Sequence, residues 1–382
     1  MVRNYTLSDF AEFENNATRE TLVSIGTTVN ILADVFYRIN SFLACAGVAI
    51  NFFHIVVLTR KSMISSVINV FLIGIAISDC FNLGIQVHKI WLTISEANGV
   101  DECTPPATPF KIYFLYILLV LKDDFRRLST FLGLMMALLR YVMIKNCLDP
   151  KYDDLSKPKV AWISILITFI MSTILSFYYL ARLKLIETEI WTAPIDCGYP
   201  LGYNQPIYTL AQNDLFFSSR SIYRAVISSD GVLKMIPVLV LPFLAIGLIR
   251  ELRKTEQARR KISTSRVNSL YSNATSKMVI IMTITCIVAE GPLGVDLIIE
   301  GLVAYSIPLR SMVVDIGIIL TVFVTLNATT HFFVCLGVST QYRNALKELI
   351  SLKKPKKQLT ITPKISNASI VTIKQVNVRL EG

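Results

Sequence analysis

The uncharged apolar run from Val160 to Ala181 limits what this chain can fold into more than any other feature. A helix needs roughly 20 mostly apolar residues to cross a bilayer, and this run supplies them. Comparable runs lie at Val35–Thr59, Val67–Gln86, Ile112–Ile144, Gly231–Ile249, Met278–Val303 and Ser311–Val338. Seven spanning helices are therefore expected. The third is interrupted by a charged block, Lys122-Asp123-Asp124-Phe125-Arg126-Arg127, between Ile112–Leu121 and Leu128–Leu139. Neither half can cross alone, so the stretch reads as one long helix. At about 1.5 Å per residue, the block then lies roughly 20–27 Å from Arg140, in the outer half of the membrane.

Charge sets the orientation. Only 17% of the 382 residues are charged, against about a quarter in a soluble domain, yet the net charge is +11. The segments joining spans one to two, three to four and five to six, with the tail, hold 24 of the 38 Lys and Arg and seven of the 27 acids. By the positive-inside rule these segments and the C-terminus are cytoplasmic and the N-terminus is outside. A basic face beside anionic lipid accounts for the excess without nucleic acid. Met1 to Leu22 has no signal-peptide pattern, so internal segments are expected to direct insertion. The sequons at Asn4 and Asn16 are candidate glycosylation sites on the exterior segment. Only Cys103 and Cys197 face the oxidising side. Such a lone pair most simply forms a disulfide, the other reading being two free loop thiols.

Within the spans, Asn51, Asp79, Asp123, Arg126, Arg127, Glu290, Asn327 and His331 lie where a charge costs several kcal/mol. A buried structural network and a conformational switch are both compatible with that set. Pro237, Pro242 and Pro292 interrupt helical hydrogen bonding and kink their helices. The acids Glu102, Asp196, Asp214, Asp296, Glu300 and Asp315 give the outer half a negative vestibule that favours cationic ligands, or only a solvated loop surface.

Over about residues 35–350 the ordered motifs resemble rhodopsin-like (class A) G-protein-coupled receptors. Gly47 to Asn51, the run ending at Asp79, Ala137-Leu138-Leu139-Arg140-Tyr141, Trp162, Pro237 and Pro292 stand where that class has its helix signatures. Leu139 replaces the usual acid before Arg140. Glu290 stands in the place of a tryptophan and His331 in that of an asparagine. Together with Thr59-Arg60-Lys61-Ser62-Met63, Arg126-Arg127-Leu128-Ser129 and Gln341-Tyr342-Arg343, these replacements are similar to the nematode serpentine receptor class W group. That group is itself similar to insect myosuppressin and FMRFamide-type neuropeptide receptors.

The resemblance implies an all-α membrane protein with an extracellular segment over 1–34 and a seven-transmembrane receptor domain over 35–338. An amphipathic eighth helix follows over 339–352, then a disordered cytoplasmic tail over 353–382. It implies a multi-pass plasma-membrane receptor for an extracellular amidated peptide, coupled to a heterotrimeric G protein through Arg140 and Tyr141. Asn51, Asp79, Arg126, Arg127, Glu290, Pro292, Asn327 and His331 would form the switch, with Asp123, Asp296, Glu300 and Asp315 as tentative ligand contacts. No cofactor, metal or enzymatic activity is expected, and His331 stands where an asparagine would help Asp79 and Asn51 hold the class's sodium and water cluster. A small-molecule chemoreceptor is the main rival. A secondary transporter would show internal repeats, which are not found. A retinal protein needs a lysine in the seventh span, and none occurs between Lys277 and Lys347.

Overall fold

In the computed structural model, residues 3, 5–99, 103–146, 149–181, 183–200, 202–213, 220–261 and 266–350 are described. Asn4, Glu102, Asp214, Leu352 and the tail 353–382 lie outside them. Among the described residues, seven helices are long and apolar enough to span a membrane. They belong to α1 (Asn16–Leu58), α2 (Val67–Gly99), α3 (Pro109–Lys145), α4 (Pro158–Ala181), α5 (Arg220–Lys261), α6 (Arg266–Leu302) and α7 (Ile307–Val338), and a shorter α8 (Thr340–Ile350) follows.

The interrupted third run is one helix of 37 residues, started by Thr108, whose hydroxyl accepts from the Lys111 amide at 3.3 Å, with Pro109 in the first turn. α1 differs from the sequence expectation. It begins at Asn16, not near Val35, because Asn15 caps it by accepting from the Ala17 amide at 2.9 Å. The preceding residues turn back and bury Tyr5 and Phe10 against Leu309 and Met312 of α7, which gives those added turns a packing partner.

Packing orders the bundle. Of the spanning windows, 72% of that in α2 is buried and only 17% of that in α4, which puts α2 at the centre and α4 at the lipid-facing edge. The main core joins Phe71, Leu72 and Ile75 of α2 to Leu132 and Met136 of α3, Leu241 of α5 and Met282 of α6. A Cβ on Gly231 would lie 2.8 Å from the backbone of both Gly294 and Ile298, so α5 and α6 pass in backbone contact there. α8 is fastened beneath α1: Tyr342 is fully buried, its hydroxyl is 2.8 Å from His54 Nδ1, and Gln341 donates to the Ser62 carbonyl. Burial, with Cys335 nearby, pushes the Tyr342 hydroxyl above its usual pKa.

The opposite end carries an element the apolar runs did not announce. Strands β1 (Leu183–Thr192) and β2 (Asn204–Gln212) form an antiparallel hairpin, from Leu183 opposite Gln212 to Thr192 opposite Asn204, with a bulge between Glu187 and Glu189. Its loop holds Cys197, which is disulfide-bonded to Cys103 ahead of α3. Trp191, Tyr199 and Tyr203 pack their rings around that loop, with centroids 5.0–6.4 Å apart.

Candidate functional site

Arg126 and Arg127 are consecutive on α3, so about 100° of helix rotation turns them toward different neighbours. Arg126 takes Glu290 of α6 in a two-pronged pair, Nη2 to Oε2 at 2.9 Å and Nε to Oε1 at 3.3 Å. Arg127 donates to Asp230 of α5 at 3.1 Å and to the Ser176 hydroxyl of α4 at 2.6 Å. Asp230 also accepts from Lys234, one turn further along α5. Asp124 accepts from Ser172, and from Thr173 at 3.2 Å, and lies 3.9 Å from Arg127. Three cations thus meet three anions, all buried, tying α3 to α4, α5 and α6. At membrane depth such charges persist only when paired and hydrogen-bonded.

The i, i+4 spacing also allows Asp123 to brace Arg127, but it is Asp124 that lies against it, and Asp123 is exposed. Asp124 points at the α3–α4 seam, where Ser172 and Thr173 satisfy it. Asp230 and Lys234, at the head of the fifth apolar run, complete the network, and the sequence reading did not include them.

Two spaces flank the network. Toward the hairpin end lies a chamber of about 500 Å³. Asp123, Arg127, Asp230, Glu300 and Arg310 line it with Tyr116 and Tyr179. Arg310 binds Glu300 at 3.0 Å, and Arg127 is held by Asp230. Among the described residues Asp123 makes no ion pair, leaving one carboxylate on the floor unmatched. Toward α8 lies a cavity of about 30 Å³ lined by Asp79, Asn82, Arg126, Glu290, Asn327 and His331. That is room for about two water molecules. Buried Asp79 Oδ2, Asn82 Oδ1, Asn327 Oδ1 and His331 Nδ1 have no hydrogen-bond partner there, and His331 Nε2 is 3.9 Å from Asp79. Arg127 therefore faces the chamber and Arg126 the cavity.

Of the remaining expected residues, Asn51 donates to the carbonyls of Gly47 at 3.0 Å and Ala328 at 3.1 Å, pinning α1 to α7. Asp296 is buried against α7, where a Cβ on Gly317 would meet it at 2.7 Å, and does not line the chamber. Asp315 accepts from Asn30 of α1 at 2.9 Å. Pro292 lies inside α6 just beyond Glu290. Near the α8 end, Arg140 donates to Ser276 of α6 at 3.0 Å, and the Tyr141 ring lies over Gly247 of α5. Asn16 is exposed in the first turn of α1. Among the described residues no His, Cys, Asp and Glu are grouped to hold a metal ion.

Seven spanning helices, a disulfide-tied hairpin at one end, a polar chamber beneath it and an arginine bound to α6 at the other end define a seven-transmembrane receptor. A family model described as the serpentine type 7TM GPCR chemoreceptor Srw matches residues 38–353, and the chain belongs to that family. No curated protein matches the sequence.

Proposed function

We propose that the chain is a plasma-membrane receptor for an extracellular amidated peptide carrying arginine, of the FMRFamide or myosuppressin kind. The hairpin end is then extracellular and the α8 end cytoplasmic, an orientation supported by the concentration of Lys and Arg in the α8-end loops. The observation that carries the reading is the chamber itself. Three carboxylates and two guanidiniums line it among tyrosine, leucine and valine side chains, and Asp123 is left over for a cation. The second reading, a small-molecule chemoreceptor, is favoured by the family's description and by a volume within the range of small-ligand sites.

A screen of amidated peptides and small odorants against cells expressing the chain, with a G-protein readout, separates the two. Arginine-bearing peptides are expected to respond, and Asp123→Asn to weaken them about tenfold, the loss of one charge-assisted contact. Response to uncharged odorants alone would reject the peptide.

On the cytoplasmic side Arg140 is the proposed contact for the G protein, held in the resting state by Ser276, since Leu139 supplies no acid. Arg140→Ala should remove nucleotide exchange on the G protein while leaving ligand affinity in the uncoupled state within a few-fold. Ser276→Ala should raise basal exchange. Undiminished signalling by Arg140→Ala sinks the assignment.

A further inference from the structure

The segment ahead of α1 is built into the receptor's outer face. Tyr5 and Phe10 are stacked, 5.9 Å between centroids, and are 6% and 0% exposed. Tyr5 lies against Gly26 of α1, where a Cβ would come within 3.1 Å of its ring. Asp9 accepts from the Thr6 amide at 2.8 Å, Arg19 reaches back to the carbonyls of Phe13 and Ala11, and Glu12 accepts from Ser306 at the head of α7. The hydrogen bonds from the Thr6 amide and hydroxyl hold the Asp9 carboxyl below the usual carboxylate range. This strap delivers Arg3 to the seam between α1 and α7, where its amide donates to Asn30 at 2.7 Å and its guanidinium to Ser311.

Arg3 there walls a second chamber of about 410 Å³, with Asn30, Arg310, Ser311, Val314 and Asp315. Arg310 and Val314 line both chambers, so the two adjoin. In the second chamber Glu300 pairs with Arg310, Asp315 keeps its charge while accepting from the neutral Asn30 amide, and Arg3 makes no ion pair among the described residues. The main chamber thus holds a carboxylate, Asp123, in no ion pair among the described residues, and the second holds a guanidinium, Arg3, in none.

We propose that this second chamber is a subsite for an acidic residue of the ligand, recognised by Arg3, while a basic residue of the same peptide occupies the main chamber. The assignment rests on the peptide reading above. The strap is thus part of the binding site. A bidentate carboxylate is the ligand group that a guanidinium fits best.

Two short probe peptides that share an arginine-phenylalanine-amide end and differ only in aspartate or asparagine at the first residue test this on the full chain in membranes. The aspartate probe should bind about tenfold tighter. Arg3→Gln, at an exposed position, should abolish that preference without weakening the asparagine probe, and Gly26→Leu, which displaces Tyr5, should do the same. Asp123→Asn should weaken both probes equally. Equal binding of the two probes to the native chain, or a preference that survives Arg3→Gln, overturns the subsite alone. If neither probe binds, the peptide reading falls and takes the subsite with it.

Discussion

Glu290→Gln is expected to raise basal nucleotide exchange and to lower the receptor's thermal stability, because it leaves Arg126 buried opposite a neutral amide. Removing one partner of a buried pair costs about 3–5 kcal/mol, most of it the penalty on the stranded charge. Arg126→Gln should be comparably damaging. The double substitution should be milder than the sum, since nothing charged is then left unpaired. The pair joins α3 to α6 two residues before the Pro292 kink, so its loss should free α6 and raise signalling without ligand. The adjacent Arg127 supplies the comparison: it reaches Asp230 on α5, so the coupling of Glu290 to Arg127 should be smaller than that of Glu290 to Arg126. Additive effects of Glu290→Gln and Arg126→Gln would mean that the cross-helix pair does not restrain the resting receptor.

The seven spans were legible because hydrocarbon imposes a length and an apolar content that few other structures share. The hairpin was not: β1 mixes Lys184, Glu187 and Glu189 with Leu185, Ile186 and Trp191, and its partner strand lies beyond a disulfide-held loop, so no local period announces the pairing. The early start of α1 was hidden for a related reason. Residues 16–34 are too polar to read as a span, and it is the Asn15 cap and the packing of Tyr5 and Phe10 against α7 that hold those turns. Within the site, sequence spacing allowed both Asp123 and Asp124 to face Arg127, at i+4 and i+3. What decides between them is the hydroxyl pair Ser172 and Thr173 on α4, a tertiary fact. Asp230 was missed because it sits one residue before an apolar run and its partner is on another helix.

Asp230→Asn should be the most disruptive single change in the network, since this one carboxylate accepts from both Arg127 and Lys234. Lys234 would then be buried without its acid, and Arg127 would have only Asp124, 3.9 Å away and already engaged by Ser172 and Thr173. The expected result is loss of cell-surface receptor, at a cost of about 3–5 kcal/mol or more. Adding Lys234→Met returns the network to neutrality, with two cations and two anions, and should restore surface expression. The rescued receptor separates structure from recognition. Asp230 lines the chamber with Asp123 while Glu290 lines the cavity beneath, so a peptide guanidinium entering from the hairpin end and held by Asp123 reaches Asp230 before Glu290. By taking that carboxylate from Arg127 it would loosen α3 from α5, and a ligand shifts a conformational equilibrium only through such a differential contact. The Asp230→Asn/Lys234→Met receptor should therefore reach the surface yet lose about a hundredfold in potency toward arginine-bearing peptides, two charge-assisted hydrogen bonds' worth. Surface expression and peptide potency measured on the same cells read both effects. Native potency in the rescued receptor would mean that a cation held by Asp123 signals without drawing Asp230 from Arg127.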